Sequence, residues 1–292
     1  MSFMKRLATN IGRFFRLIRS LNLLIVAASQ YLAAWWLIPG NTLGSLLADQ
    51  RLLLLALSTM LIAAGGYVIN DYYDIKIDYI NKPQRVVAGR YFSRRIILIL
   101  HVALTAGGLA LGWLAGWQIA AVDLVAAGLL WLYSARLKQL PLLGNLAVAL
   151  LTASAILLVY LLYRQSLMLI SVYGAFAFFM ALIREIIKDM EDMEGDRTFN
   201  CRTLPIAIGI RPAKQVVYLI SLLFIATTAL LIHQDERFGR ILLLLTLVLA
   251  YLNLRLHRAD KLQDYARLST WSKVIMLGGM LSMFFFKNSA LL

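Results

Sequence analysis

The amino-acid sequence predicts an all-α membrane protein whose nine transmembrane helices form one domain over residues 1–292. Hydrophobic residues make up 61% of the chain and charged residues 15%, whereas soluble domains contain about 45–50% apolar and about 25% charged residues. A soluble fold of this length could not bury so much apolar surface, and a disordered chain would contain far less of it. Long apolar segments and an asymmetric placement of Lys and Arg support the same class.

Nine segments are long and apolar enough to cross a bilayer, which requires about 20 residues in a helix. They are residues 17–38, 51–70, 93–115, 118–134, 143–163, 166–188, 214–233, 239–256 and 270–287. The first segment follows a basic N-terminal stretch, but its apolar run is too long for a signal peptide and no clear cleavage site follows it. We therefore expect it to be retained as the first transmembrane helix.

The Lys and Arg residues predict the topology. When the ends of the nine segments are assigned alternately to the two sides of the membrane, 24 of the 29 cationic residues lie on one side. Loops rich in Lys and Arg stay in the cytoplasm. The sequence therefore predicts a multi-pass protein of the cell membrane with a cytoplasmic N-terminus and an external C-terminus. Because the basic residues lie in short membrane loops, we expect no nucleic-acid partner.

Nine of the 15 acidic residues lie in two short segments, 71–78 and 185–196, each at the end of an even-numbered apolar segment. We call residues 70–78 the first motif and residues 188–196 the second motif. Both repeat the same spacing, with aspartates separated by three and then four residues. These aspartates are Asp71, Asp74 and Asp78 in the first motif, and Asp189, Asp192 and Asp196 in the second. The repeat predicts two weakly related halves within the single domain.

This spacing places the three aspartates of each motif within about 60° on one face of an α-helix. Glu191 and Glu194 point away from that face and are expected to be solvated. Three carboxylates on one face repel each other unless a cation lies between them. All-oxygen ligands favour Mg²⁺ over zinc, and Mg²⁺ commonly shares its coordination shell with substrate phosphates. The two motifs therefore predict a Mg²⁺ site at the cytoplasmic ends of the helices.

Cationic residues near the motifs indicate that the ligand carries phosphate. They include Lys82, Arg85, Arg136, Lys138 and Arg197. Arg and Lys beside Mg²⁺ stabilise a bound diphosphate and the charge that it gains as a leaving group. A diphosphate bound at the end of an apolar bundle suggests an amphiphile such as an isoprenyl diphosphate. Ionisation of its allylic C–O bond would leave a carbocation that an apolar cavity protects from water.

The two motifs resemble those of the UbiA superfamily of intramembrane prenyltransferases. The resemblance rests on Asn70-Asp71-x-x-Asp74-x-x-x-Asp78 and Asp189-x-x-Asp192-x-x-x-Asp196, and it extends over nearly the whole chain. It implies a horseshoe of nine helices around a central cavity that opens sideways to lipid. Two segments depart from the family pattern. Residues 86–90 read Val-Val-Ala-Gly-Arg where Pro-Ile-Pro-Ser-Gly is usual, and residues 198–201 begin with Thr where Gly is usual.

The resemblance also implies roles for individual residues. The expected ligands of two Mg²⁺ ions shared with the diphosphate are Asn70, Asp74, Asp78, Asp189, Asp192 and Asp196, and the expected catalytic carboxylates are Asp71, Asp74, Asp192 and Asp196. The expected substrate-binding residues are Arg19, Asn22, Lys82, Arg85, Tyr133, Arg136, Lys138, Lys188 and Arg197.

Three stretches, at 74–85, 133–145 and 184–205, resemble the branch of the superfamily that makes archaeal-type ether lipids. They imply Mg²⁺-dependent transfer of a prenyl group, geranylgeranyl in the leading hypothesis, from a prenyl diphosphate to the hydroxyl of a prenylglyceryl phosphate. Parts of the first and third stretches also occur in aromatic prenyltransferases of quinone and chlorophyll synthesis, so that reaction is the alternative. A polyprenyl-phosphate or cation transporter is a more remote alternative, because both motifs lie on one side of the membrane.

Overall fold

The computed structural model describes residues 11–81, 84, 86–231 and 236–287, and most of these residues are helical. In chain order the α-helices are α1 Ile11–Leu17, α2 Ser20–Trp36, α3 Leu43–Ala48, α4 Gln50–Asn81, α5 Arg94–Ala115, α6 Trp117–Ala135, α7 Leu143–Tyr163, α8 Leu167–Glu191, α9 Met193–Thr198, α10 Leu204–Ile208, α11 Ile210–Leu231, α12 Glu236–His257 and α13 Leu262–Ser282. Short 3-10 turns occupy Leu137–Gln139 and Met283–Phe286.

The described helices confirm an all-helical, multi-pass membrane fold. Seven of them are long and apolar enough to cross a membrane, and an eighth span results if α1 and α2 are counted together. The apolar part of α12, Leu242–His257, is shorter than these spans. The predicted count of nine spans therefore stays a prediction.

The first predicted span, residues 17–38, is interrupted near its start. α1 ends at Leu17, α2 begins at Ser20, and the two helices are bent by 59° relative to each other. Arg19 lies at the bend with φ +52°, in the left-handed region that residues other than glycine seldom adopt. The sequence does not predict this bend: Arg19, Ser20 and Asn22 interrupt the apolar run here, but polar residues also occur within unbroken helices.

The chain divides into two compact units. The first unit contains the segment that ends at Tyr31 together with Thr42–Leu137, and the second contains Leu32–Asn41 and Lys138–Leu292. Each unit carries one of the two aspartate motifs. The predicted relationship between two repeated halves stays a prediction.

In the first unit α4 packs against both α5 and α6. A Cβ atom at Gly108 of α5 would lie 2.8 Å from the Ile62 side chain and 3.1 Å from its backbone nitrogen. Glycine at this position therefore lets α4 and α5 approach closely, as small residues commonly do between membrane helices. A buried cluster near the first motif joins Leu17, Val68, Val87 and neighbouring apolar residues. This cluster fixes the end of α4 that carries the motif.

In the second unit α8 packs against α7, α11 and α13. Ile183, Ile186 and Ile187 of α8 are fully buried. Phe179 of α8 stacks on Phe224 of α11, with ring centroids 5.1 Å apart. Because α8 is enclosed by three other helices, its C-terminal end has a well-defined position, and that end begins the second motif.

Candidate functional site

The first motif lies at the C-terminal end of α4, where the apolar part of the helix ends. α4 is 32 residues long and stays helical through residues 70–78, as the aspartate spacing predicts. Asn70 Nδ2 donates a hydrogen bond to Asp74 Oδ2 over 2.8 Å, one helical turn away. Both side chains are half-buried, as are Asp71 and Asp78. The predicted ligands of this motif therefore share one accessible helix end.

Arg19 connects the bend between α1 and α2 to the first motif. Its Nη2 lies 2.8 Å from Oδ1 of Asp71, whose side chain is only 15% exposed. The guanidinium also lies over the ring of Tyr67, 4.7 Å from the centroid, and Asn22 Nδ2 donates to the Tyr67 hydroxyl at 3.5 Å. Arg19 and Asn22, predicted as substrate-binding residues, are thus anchored on α4 directly beside the first motif.

The segment that departs from the family pattern at 86–90 contributes to the core of the first unit. Val86, Val87 and Ala88 are buried. The turn that follows is closed by a hydrogen bond from Gly89 N to Phe92 O at 3.0 Å, with Gly89 at φ +74°. The unusual apolar residues therefore have a local packing role. Lys82 and Arg85, which were predicted to bind phosphate, lie outside the described residues.

The second motif does not lie on one continuous helix, in contrast to the continuous helix that the spacing predicts. α8 ends at Glu191, and α9 begins at Met193. Asp192 stands between them with φ −94° and ψ 7°. Asp189 therefore belongs to the last turns of α8, while Asp196 belongs to α9. The three-and-four spacing is the same as in the first motif, but the backbone that carries it is different.

Asn145, near the start of α7, holds Asp189. Its Nδ2 donates to Asp189 Oδ2 over 2.8 Å, and Asn145 is only 5% exposed. Asp189 also interacts electrostatically with Glu185 and Asp196, two acids of like charge. Sequence reasoning missed Asn145 as a site residue. The available signal was an amide side chain at the start of a strongly apolar span, where burial requires a hydrogen-bond partner.

Glu185 forms the centre of a buried ionic group one turn before Asp189. Its side chain is 8% exposed, pairs with Arg184, and lies 3.8 Å from Lys188 Nζ. Lys188, predicted to bind substrate, precedes Asp189 in the chain and lies near the Glu185 carboxylate. Arg184 is a further cation at this end of α8 that the predicted site did not include.

The second departure from the family pattern, residues 198–201, forms the C-terminal cap of α9. Asn200 adopts φ +57°, its N–H donates to Arg197 O at 3.2 Å, and Cys201 N donates to Asp196 O at 2.9 Å. These two bonds form a Schellman motif, in which Asn is the usual substitute for Gly at the left-handed position. The cap fixes the last turn of α9, including the backbone of Asp196.

The remaining predicted cations lie at helix ends and in connections. Arg136 is exposed at the end of α6, and Arg197 is exposed on α9, while Tyr133 and Lys138 are half-buried. In the second unit, Arg202 N donates to Gln139 O at 2.8 Å. This bond connects the segment that contains Lys138 to the segment that follows α9.

The donor atoms of the two motifs fit Mg²⁺ in their chemistry. Over the described residues no three His, Cys, Asp or Glu side chains lie close enough together to form a complete metal site. Both motifs nevertheless offer carboxylate oxygens on half-buried side chains. Protein sites for Mg²⁺ commonly use one or two carboxylates and leave the other positions to water and substrate phosphates. The residues therefore fit an ion whose coordination the substrate completes.

Known sequences resemble this chain over most of its length. The sequence model of the UbiA prenyltransferase family matches residues 23–277. Digeranylgeranylglyceryl phosphate synthase of Saccharolobus solfataricus is 32% identical over 251 residues, which cover 83% of this chain and 89% of that protein. The enzyme of the same name from Methanoregula boonei is 36% identical over 218 residues, which cover 74% of this chain and 75% of that protein.

Solved structures share the fold. A structure of digeranylgeranylglyceryl phosphate synthase in membranes matches with a TM-score of 0.72 at 22% identity, covering 94% of this chain and 97% of that one. A UbiA homologue from Archaeoglobus fulgidus, solved with DMAPP and Mg²⁺, matches with a TM-score of 0.67 at 19% identity, covering 93% of this chain and 99% of that one.

Proposed function

The chain belongs to the UbiA prenyltransferase family, and we propose that it transfers a geranylgeranyl group from its diphosphate to the hydroxyl of a prenylglyceryl phosphate. The reaction forms an ether lipid and releases pyrophosphate. The observation that carries this proposal is the 32% identity, over 83% of the chain, to an enzyme named digeranylgeranylglyceryl phosphate synthase. The three sequence stretches that resemble ether-lipid enzymes support the same acceptor.

The aspartate motifs are proposed to hold Mg²⁺. The main ligand candidates are Asn70, Asp74, Asp192 and Asp196, with Asp71, Asp78 and Asp189 in supporting positions. Two ions, shared with the diphosphate, are consistent with two motifs. When bound, Mg²⁺ supplies positive charge that stabilises the negative charge developing on the leaving diphosphate.

Cationic side chains of the chain itself bind the phosphate groups in this proposal. Lys82, Arg85, Arg136, Lys138, Lys188 and Arg197 contact the diphosphate or the acceptor phosphate, assisted by the Tyr133 hydroxyl, while Arg19 and Asn22 line the acceptor side. The exposure of Arg136 and Arg197 leaves both guanidinium groups accessible to an anionic ligand. Such charge-assisted hydrogen bonds are about twice as strong as neutral ones.

The proposed chemistry is a substitution at the allylic carbon. The bond between that carbon and the diphosphate oxygen breaks, and the acceptor hydroxyl oxygen forms the new C–O bond. The hydroxyl proton then passes to a carboxylate of the second motif. The apolar helices exclude water, which would otherwise capture the allylic cation.

Purified protein supplied with geranylgeranyl diphosphate and Mg²⁺ is expected to prenylate geranylgeranylglyceryl phosphate. Mass spectrometry should detect the dialkyl ether product and pyrophosphate. Parallel reactions contain an aromatic acceptor, such as a hydroxybenzoate or homogentisate, or farnesyl diphosphate as the shorter donor. Consumption of an aromatic acceptor alone would overturn the lipid acceptor, and preference for the shorter donor would overturn the geranylgeranyl assignment.

We also propose that the protein lies in the cell membrane with both motifs on the cytoplasmic side. The proposal rests on the placement of 24 of 29 cationic residues on one side. Alkaline phosphatase requires disulfides that form outside the cytoplasm. A fusion at the C-terminus is therefore expected to be active, and one in the 136–141 loop inactive. The reverse pattern would contradict the topology.

A further inference from the structure

Asn145 is a buried amide with a specific charged partner. It is the third residue of α7, it is 5% exposed, and its Nδ2 donates to Asp189 Oδ2 across the contact between α7 and α8 at 2.8 Å. Burying an amide costs free energy unless it is hydrogen-bonded. Fold stability alone therefore gives little reason for an amide here.

Each motif has an aspartate held by an asparagine amide, although the two aspartates occupy different positions of the repeat and the amides come from different places. In the first motif Asn70 donates to Asp74 from the same helix, again at 2.8 Å. In the second motif the residue before Asp189 is Lys188, and the amide comes from α7. Each motif thus has one carboxylate oxygen fixed by one asparagine N–H.

The position of Asp189 explains why a fixed partner is useful. Asp189 lies in the last turn of α8, three residues before the break at Asp192. Helix ends fray more readily than helix interiors. A hydrogen bond from a different helix selects one orientation of the carboxylate and connects it to the enclosed part of the second unit.

The chemistry of an amide suits a carboxylate that must later bind a cation. A lysine or arginine at position 145 would neutralise Asp189 and compete with a metal ion for it. An amide N–H occupies one oxygen but leaves the negative charge in place. It also adds no further charge to a carboxylate that already interacts with the acids Glu185 and Asp196 and with the cation Lys188.

We propose that Asn145 is a positioning residue that holds the Asp189 carboxylate in the orientation required for Mg²⁺. The inference rests on the proposed function. Removing a residue that hydrogen-bonds to a metal ligand typically lowers metal affinity or activity by about 10–100-fold.

The test uses two substitutions and a matched control in the full-length protein. Asn145→Ala removes the amide, and Asn145→Leu removes it while largely filling the space. The control is Asn253→Ala, because Asn253 is a half-buried asparagine of the same unit whose Oδ1 accepts a hydrogen bond from Ser221 Oγ at 3.3 Å. Binding of Mn²⁺, used as a spectroscopic probe for Mg²⁺, is measured by electron paramagnetic resonance in the presence of inorganic pyrophosphate, which supplies the phosphate oxygens, with a protein-free sample as the reference. Unfolding temperatures are measured without metal.

Both Asn145 variants are expected to bind Mn²⁺ about 10–100-fold more weakly than the wild type. They should need correspondingly more Mg²⁺ for half-maximal turnover, with an unchanged KM for the acceptor. Asn253→Ala should bind Mn²⁺ like the wild type even if its unfolding temperature falls. Wild-type Mn²⁺ affinity in Asn145→Leu would overturn the proposal and leave the proposed function intact. Absence of Mn²⁺ binding by the wild type would overturn both.

Discussion

Replacing Asp74 or Asp192 with asparagine is expected to abolish prenyl transfer, with kcat lowered by about 10³-fold or more. Asparagine has nearly the shape of aspartate, so each substitution removes a negative charge with little change in packing. Asp74 is half-buried and bonded to Asn70, while Asp192 lies at the break between α8 and α9. Turnover is measured with labelled geranylgeranyl diphosphate in detergent over a wide range of Mg²⁺ concentrations.

Glu194→Gln provides the matched control for this prediction. Glu194 lies two residues after Asp192 and is exposed on α9, where the sequence spacing also placed it outside the aspartate set. Its substitution removes the same charge from the same segment and is expected to change kcat by less than about 2-fold, because an exposed charge is screened by solvent. Equal losses in Glu194→Gln and Asp192→Asn would show that total charge, and not a ligand, is responsible. Full turnover in Asp74→Asn would refute its assignment.

Among substitutions that add one methyl group to the first unit, Gly112→Ala is expected to be the most destabilising. A Cβ at Gly112 of α5 would lie 2.2 Å from Oδ2 of Asp123 on α6. Asp123 is 2% exposed, so its carboxylate has no open space into which it can move. Overpacking of this kind costs about 1–3 kcal/mol. Thermal unfolding of the purified protein in detergent, followed by the fraction that remains monodisperse, measures the loss.

Gly128→Ala on α6 is the control, because nothing lies within 4 Å of a Cβ atom at that glycine. Alanine in an exposed helix interior is expected to stabilise the protein by about 0.5–1 kcal/mol. The double variant Gly112→Ala/Asp123→Ala removes the clashing oxygen and should recover part of the lost stability. A Gly112→Ala protein as stable as the wild type would contradict the close packing of α5 and α6.

The membrane helices and the first motif could be predicted because their signals are local. Apolar residues required by the bilayer occur in consecutive stretches, and the spacing of Asp71, Asp74 and Asp78 coincides with a helix that continues past its apolar part. The bend at Arg19 and the break at Asp192 could not be predicted in this way. Neither is marked by proline, and the polar residues at both positions are also compatible with a continuous helix, as the first motif shows.

The contacts that orient the predicted site residues also depend on tertiary structure. Asn145 reaches Asp189 across 44 positions of sequence, and Arg19 reaches Asp71 across 52. No periodicity encodes such pairs. The residues at 86–90 and 198–201 were recognised as departures from the family pattern, but their packing and capping roles became visible only in the folded chain. The sequence therefore predicts which acidic and basic residues belong to the site, but it does not predict the side chains that hydrogen-bond to them.

The length of α4 relates the first motif to the thickness of the bilayer. With 32 residues and a rise of 1.5 Å per residue, α4 extends for about 48 Å, whereas the hydrocarbon core is about 30 Å thick and is crossed by about 20 residues. Counted from Gln50, those residues end near Ile69, immediately before Asn70. The number of apolar residues in α4 therefore sets the depth of the carboxylates at the headgroup layer. There they remain hydrated, and an isoprenoid chain bound at the same site can extend into the hydrocarbon.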